Sequence, residues 1–259
     1  MELAALPFVN WIFWTALSAG TLLVVGLTEL LGGTTRGYRL FMAWLLLAFV
    51  GVLVLSEFNL PPGTELDSTA GLRRGLVLAL AAGTLAYLAA SLLRVPRGGL
   101  AVLAGFVGVL ALATLSAAGA TFSPLLFSVQ LVLTALALGS VNAAMLLGHW
   151  YLVTPKLSPT PLRRLMWVLL AALVLQGATF VVALVTLSFG PLGDPMGPLT
   201  WLRLVVGILL PIVITVLAML ASRAPSLQAS TGLLYIGLAF VMAGSIAGAS
   251  ITYLTGVPV

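Results

Sequence analysis

Long uncharged stretches set the limits of what this chain can fold into. No Asp, Glu, Lys or Arg occurs in the 26 positions between Glu2 and Glu29, the 17 between Arg39 and Glu57, or the 19 between Arg74 and Arg94. The gap from Arg97 to Lys156 is 58 residues; 29 follow from Arg164 to Asp194, 19 from Arg203 to Arg223, and 36 after Arg223. A helix that crosses the hydrocarbon core of a bilayer needs about 20 mostly apolar residues. Each gap therefore holds one span and the longest holds two. The spacing predicts eight helices, at about 7–31, 38–58, 72–94, 98–118, 123–149, 164–189, 201–222 and 230–255. The long gap divides at Ser116–Pro124, where small and polar residues precede a proline suited to the first turn of a helix.

Composition supports this frame. Hydrophobic residues make up 61% of the 259 and charged residues 7%, with a mean hydropathy of +1.22. A soluble domain carries about 25% charged residues to face water, so a soluble enzyme, a disordered chain and a nucleic-acid module are all excluded. The fold class expected is an all-α polytopic membrane bundle, one domain over 1–259, with the lipid bilayer as its first partner. Cysteine is absent and His149 is the single histidine. Thiol chemistry, cysteine-ligated clusters and histidine-cluster metal sites are thereby excluded, and no metal site is expected.

The net charge of +5 is an orientation signal. With the N-terminus outside, Arg36, Arg39, Arg94, Arg97, Lys156, Arg163, Arg164 and Arg223 fall on the inner side, and Arg73, Arg74 and Arg203 on the outer. That imbalance satisfies the positive-inside rule, and an even number of spans then places both termini outside. The segment Met1–Pro7 lacks the basic region of a signal peptide, so the first helix is expected to be retained. There is also a possible repeat of 1–60 in 72–120. Ala19-Gly20-Thr21-Leu22 recurs as Ala82-Gly83-Thr84-Leu85, and Phe49-Val50-Gly51-Val52-Leu53 as Phe106-Val107-Gly108-Val109-Leu110. Coincidence in so Ala/Leu/Gly-rich a chain is the competing explanation.

Few residues are equipped for chemistry. Helix 5 ends in Gly148-His149-Trp150-Tyr151, with Asn142, Met145 and His149 at i, i+3 and i+7 on one face. This is a candidate site for a quinone or another substrate, because histidine titrates near neutral pH. The competing reading is an interfacial histidine within a Trp–Tyr belt that anchors the helix end. Ser140, Ala144 and Gly148 form a small-residue ridge, and Gly244 and Gly248 a GxxxG step in helix 8, both suited to close helix packing. Glu29 and Glu57 lie at helix ends. Glu57 is the stronger site candidate, although a carboxylate at an interface can also snorkel to water. Gln130, Asn142 and Gln176 are expected to hydrogen-bond helix 5 to helix 6, since an unpaired amide in lipid is costly. No Asp, Glu, Lys or Arg is expected at mid-membrane, and Pro211 should kink helix 7 and free a carbonyl. No phosphate loop, HExxH, CxxC or nucleophile elbow occurs, so no catalytic residue and no covalently held cofactor are expected.

The first helix, Asn10-Trp11-Ile12-Phe13-Trp14-Thr15-Ala16-Leu17-Ser18-Ala19-Gly20, resembles the opening helix of polysulfide-reductase (NrfD-like) and DMSO-reductase membrane anchors, with its Trp and its Ser-Ala-Gly step. Eight spans with both termini outside resemble the layout of the DMSO-reductase anchor. The resemblance implies a quinol-handling subunit that passes electrons to an extrinsic iron–sulfur partner. The partners expected are other membrane subunits or such an extrinsic redox protein, and the location expected is a bacterial inner (plasma) membrane. The chain lacks that family's usual polar quinol-site residues around helices 2 and 3, which leaves Glu57 to stand in.

The expectation is therefore a membrane subunit of a quinone-linked electron-transfer complex, with His149, Asn142, Trp150, Tyr151 and Glu57 as the candidate quinone site. A small-solute transporter is the alternative. It is suggested by the possible repeat, the proline in helix 7 and the uncharged polar residues of helices 5 and 6. A lipid-modifying enzyme fits least, for want of charged or nucleophilic residues.

Overall fold

The computed structural model describes residues 5–61, 68–119, 123–154, 157–186, 197–223, 227–257 and 259. Among them there is helix and no strand. The helices are α1 (Ala5–Leu30), α2 (Arg36–Phe58), α3 (Ala70–Leu93), α4 (Gly98–Gly119), α5 (Pro124–Val153) and α6 (Thr160–Thr186), then α7 (Gly197–Ala221) and α8 (Gln228–Thr255). All eight are long and apolar enough to cross a membrane. This is a multi-pass helical membrane protein.

Local chemistry sets several of the ends. Thr35 caps α2, its hydroxyl accepting from the Tyr38 amide at 3.3 Å, so the helix opens at Arg36. Ser123 caps α5 ahead of Pro124, the start expected from the proline. Arg94, at φ 62°, closes α3 in the left-handed region. Helix 5 runs four residues past His149, and α6 begins at Thr160, four residues before the expected start. Helix 7 begins at Gly197 and not near 201, a difference that matters for Arg203.

The bundle is built around α1 and α5, the two most deeply buried of these helices. They cross where glycines remove the side chain from both surfaces. A Cβ on Gly139 would sit inside the Gly20 carbonyl group, and one on Gly20 inside the Ala135 carbonyl. A second close crossing joins α7 to α8 through Gly207 and Gly244, whose Cα atoms face each other. The small residues of α8 thus pack within the bundle, as does the α5 ridge, where Gly148 lies against Thr231 of α8. Trp11, Tyr38, Met42, Leu46, Leu80 and Leu138 fill the core. The outer helices present leucine, valine and tryptophan outward, among them Leu55, Leu93, Leu103, Trp167 and Val185. A helix that is apolar on all sides has one solvent available, the lipid.

Stacking of Phe8 on Tyr253, with ring centroids 5.5 Å apart, brings the start of α1 and the end of α8 to one end of the bundle. That end also carries the close of α2 and the openings of α3, α5 and α7. Proline 211 is accommodated by widening the helix: Leu202–Leu209 is π-helical, and the Leu210 amide donates to the Val205 carbonyl. Proline has no N–H and its ring crowds the carbonyl four residues back. Bonding five residues back ahead of the proline takes up that mismatch, where a simple kink was expected.

Candidate functional site

The three aromatic residues at the end of α5 point to three different neighbours. Successive helix positions differ by about 100°, so consecutive side chains leave the helix in different directions. His149 is exposed, its Nδ1 3.1 Å from the Tyr235 hydroxyl of α8. Trp150 lies edge-on to Tyr38 at 6.4 Å and against Gly37. The Tyr151 hydroxyl donates to the Ser158 carbonyl at 2.8 Å. Asn142 lies deeper in the bundle and donates to Thr21 of α1 at 3.3 Å; it ties α5 to α1 and not, as expected, to α6. Glu57 is at the opposite end of the molecule. The structure therefore distributes these five candidates over separate places.

The expected link between α5 and α6 is made by the two glutamines. The Thr179 hydroxyl donates to Gln130 Oε1 at 2.6 Å. Gln176 meets Thr134 Oγ1 at 2.9 Å, and with its amide oxygen turned inward it also accepts from Arg203 Nη2 at 3.1 Å. The opposite amide orientation would set two donors against each other, so the network fixes the assignment.

Both helix-end carboxylates are buried and paired, and neither snorkels to water. Glu57 is 1% exposed and accepts from Arg73 Nε at 3.1 Å, while the Arg73 guanidinium lies 5.8 Å from the centre of the Trp11 ring. At the other end Glu29 accepts from Arg97 Nε at 3.1 Å and from the Tyr87 hydroxyl at 2.5 Å. Its partner comes from the α3–α4 connection, not from Arg36 or Arg39, which follow it in sequence. A buried charge persists only when paired and hydrogen-bonded, and in both cases an arginine from a neighbouring helix end supplies the pair.

A groove of about 650 Å³ opens beside the Glu57 end. Leu6, Pro7, Val9, Phe13 and Ile246 form its apolar walls, and Asn10, Ser56 and Asn59 its polar part. Asn10 Nδ2 donates to Ser56 Oγ at 2.7 Å, and Asn10 Oδ1 accepts from Trp14 Nε1 at 3.0 Å. An amide nitrogen carries two hydrogens, so the second remains for a ligand. Asn10 belongs to the segment that carries the family resemblance, yet the sequence marked its Trp and small residues. The pairing of Asn10 with Ser56 exists only once α2 returns alongside α1.

Arg203 is the residue whose place the sequence conceals most. It is 1% exposed, within the π-helical part of α7 and in the second turn from Gly197. Counted as an outer loop charge, it is in fact an interior side chain, because the helix starts a turn earlier than the hydropathy suggests. The available signal was its setting, Leu202-Arg203-Leu204-Val205, a lone cation flanked by apolar residues. Set against known proteins, the chain matches no family model, no curated protein and no solved structure.

Proposed function

We propose that this protein is an integral membrane subunit of a quinone-linked electron-transfer complex, and that the groove beside Asn10 and Ser56 receives the quinone. The groove's form carries this reading. Its volume lies in the range of small-molecule sites, about 300–1,000 Å³. Apolar walls of Leu6, Val9, Phe13 and Ile246 suit an isoprenoid tail, and the Asn10 amide offers a hydrogen bond to a ring carbonyl. Glu57, next after Ser56 in α2, adjoins the groove in sequence and is held by Arg73. Those charges would act on a bound ring through their field, not as a free base. The resemblance of the first helix to NrfD-like anchors supports the same reading and implies an extrinsic redox partner at the outer face.

Quinone binding to the purified chain in detergent tests this. Asn10→Leu should weaken binding about tenfold or more, the worth of one hydrogen bond that has lost its partner. His149→Ala, at the far end of the bundle, should leave it unchanged. Equal effects from the two substitutions, or no quinone binding at all, would remove the groove from consideration.

A small-solute permease is favoured by a different observation, the π-helical turn of α7 beside a buried arginine. A protein that purifies free of quinone and partners and moves a solute into liposomes would replace the first reading with this one.

A further inference from the structure

Independently of the quinone reading, we propose that a groove between the start of α6 and the end of α7 binds the headgroup of a membrane phospholipid of net negative charge. The groove is lined by Arg163 and Trp167 of α6, Met219 of α7, and Ser222 and Arg223 just beyond it. Arg163 reaches across, its Nη2 donating to the Ser222 carbonyl at 2.9 Å. A helix end leaves its last carbonyls without intrahelical partners, and this bond supplies one. It fixes the guanidinium on the groove and leaves most of its five N–H donors open. Arg223 lines the same space, and its guanidinium has no hydrogen bond or ion pair among the described residues. Arg164, next in sequence, is turned away and donates to the Leu31 carbonyl at 3.5 Å.

Charge selects the headgroup. The chain has six acidic residues, Glu2, Glu29, Glu57, Glu65, Asp67 and Asp194. None falls in 154–159, which joins α5 to α6, or in 222–227, which joins α7 to α8. Glu29, the carboxylate described at this end of the bundle, is held by Arg97 and Tyr87. Val259 is buried at the opposite end, against Gly248. Among the described residues, the two guanidiniums therefore share one groove without a counter-charge. A zwitterionic lipid would bring its own ammonium; phosphatidylglycerol brings the phosphate charge alone. Basic pockets between membrane helices suit such headgroups. Depth then selects a lipid over a soluble anion. Trp167 lies about one turn deeper than Arg163, and Met219 about one turn deeper than Arg223. Each helix thus sets an arginine at its end and an apolar side chain beneath it, with Trp167 61% exposed on the outward side. An indole suits the boundary between headgroups and acyl chains, where a phospholipid continues inward and a free phosphate ends.

The test is native mass spectrometry of the full chain in detergent, mixed with equal amounts of dioleoyl-phosphatidylglycerol and dioleoyl-phosphatidylcholine. The expected result is a saturable phosphatidylglycerol adduct, formed in preference to phosphatidylcholine and undisturbed by millimolar inorganic phosphate. Arg163→Gln and Arg223→Gln should each weaken that adduct about fivefold, the worth of one arginine at a lipid surface. Arg164→Gln, at the same end but turned to Leu31, should leave it unchanged. Should Arg163→Gln fail to fold for want of its bond to Ser222, Arg223→Gln decides, since its guanidinium has no such bond to lose. Equal adducts of the two lipids, displacement by inorganic phosphate, an undiminished adduct in Arg223→Gln, or an equal loss in Arg164→Gln would overturn the proposal.

Discussion

Glu57 and Arg73 show what a single pair of residues does in this bundle. With side chains 0% and 5% exposed and 3.1 Å apart, they close the α2–α3 hairpin from inside. Burial makes each dependent on the other. Removing one partner of such a pair typically costs about 3–5 kcal/mol, while replacing both by apolar side chains is often neutral. Arg73→Met alone should therefore destabilise the protein by that amount, and Glu57→Leu with Arg73→Met should regain most of it, read from unfolding in detergent. Arg97 and Glu29 obey the same rule at the other end, with Tyr87 as third member. The sequence shows that these residues lie at helix ends. It does not show which arginine meets which carboxylate, because hairpin packing and not chain order brings Arg97 to Glu29.

Helix identity was legible almost throughout, since length and apolarity suffice to mark a span. Crossing points were less so. Gly20 belongs to a small-residue step that recurs in α3, and nothing local distinguishes it from Gly51. In the structure they differ entirely. Gly20 lies with Gly139 at the α1–α5 crossing, where a Cβ would overlap the partner's backbone, whereas a Cβ on Gly51 would meet nothing within 4 Å. Gly139→Ala should thus cost more than about 3 kcal/mol, beyond ordinary overpacking because backbone must move. Gly51→Ala should be neutral or stabilising by up to about 1 kcal/mol, the helix-propensity difference. Unfolding midpoints of the two variants in one detergent give the comparison. The π-helical turn before Pro211 was legible as a disturbance but not in its form. Where the widened turn directs Arg203 depends on α8, whose Gly244 and Gly248 leave room for it.

At the scale of the molecule, eight antiparallel spans bring both ends of the chain to the face marked by the Phe8–Tyr253 stack. Burial also sharpens the charge asymmetry. Of the three arginines at that face, Arg73 and Arg203 are enclosed and Arg74 alone is exposed, while Arg36, Arg94, Arg163, Arg164 and Arg223 are exposed at the other. By the positive-inside rule the Phe8–Tyr253 face is expected on the outside. Absence of cysteine makes this direct to test. In sealed cells, Arg74→Cys should react with a membrane-impermeant maleimide, and Arg223→Cys only after lysis; the reverse pattern would invert the topology.

Taken by itself, the sequence determined the solvent of this protein, the number of its spans and their approximate ends. Those follow from how many consecutive residues lack charge, a property each segment has alone. The tertiary structure decided which polar groups meet: Asn142 with Thr21, Glu29 with Arg97, Asn10 with Ser56, and Arg203 with Gln176. It also decided that Gln130 and Arg203 open on one cavity. Each of these depends on the rotation of one helix against another, and that rotation is set by the packing of glycines and apolar side chains distant in sequence. Lipid accepts any apolar face equally, so hydropathy cannot encode it.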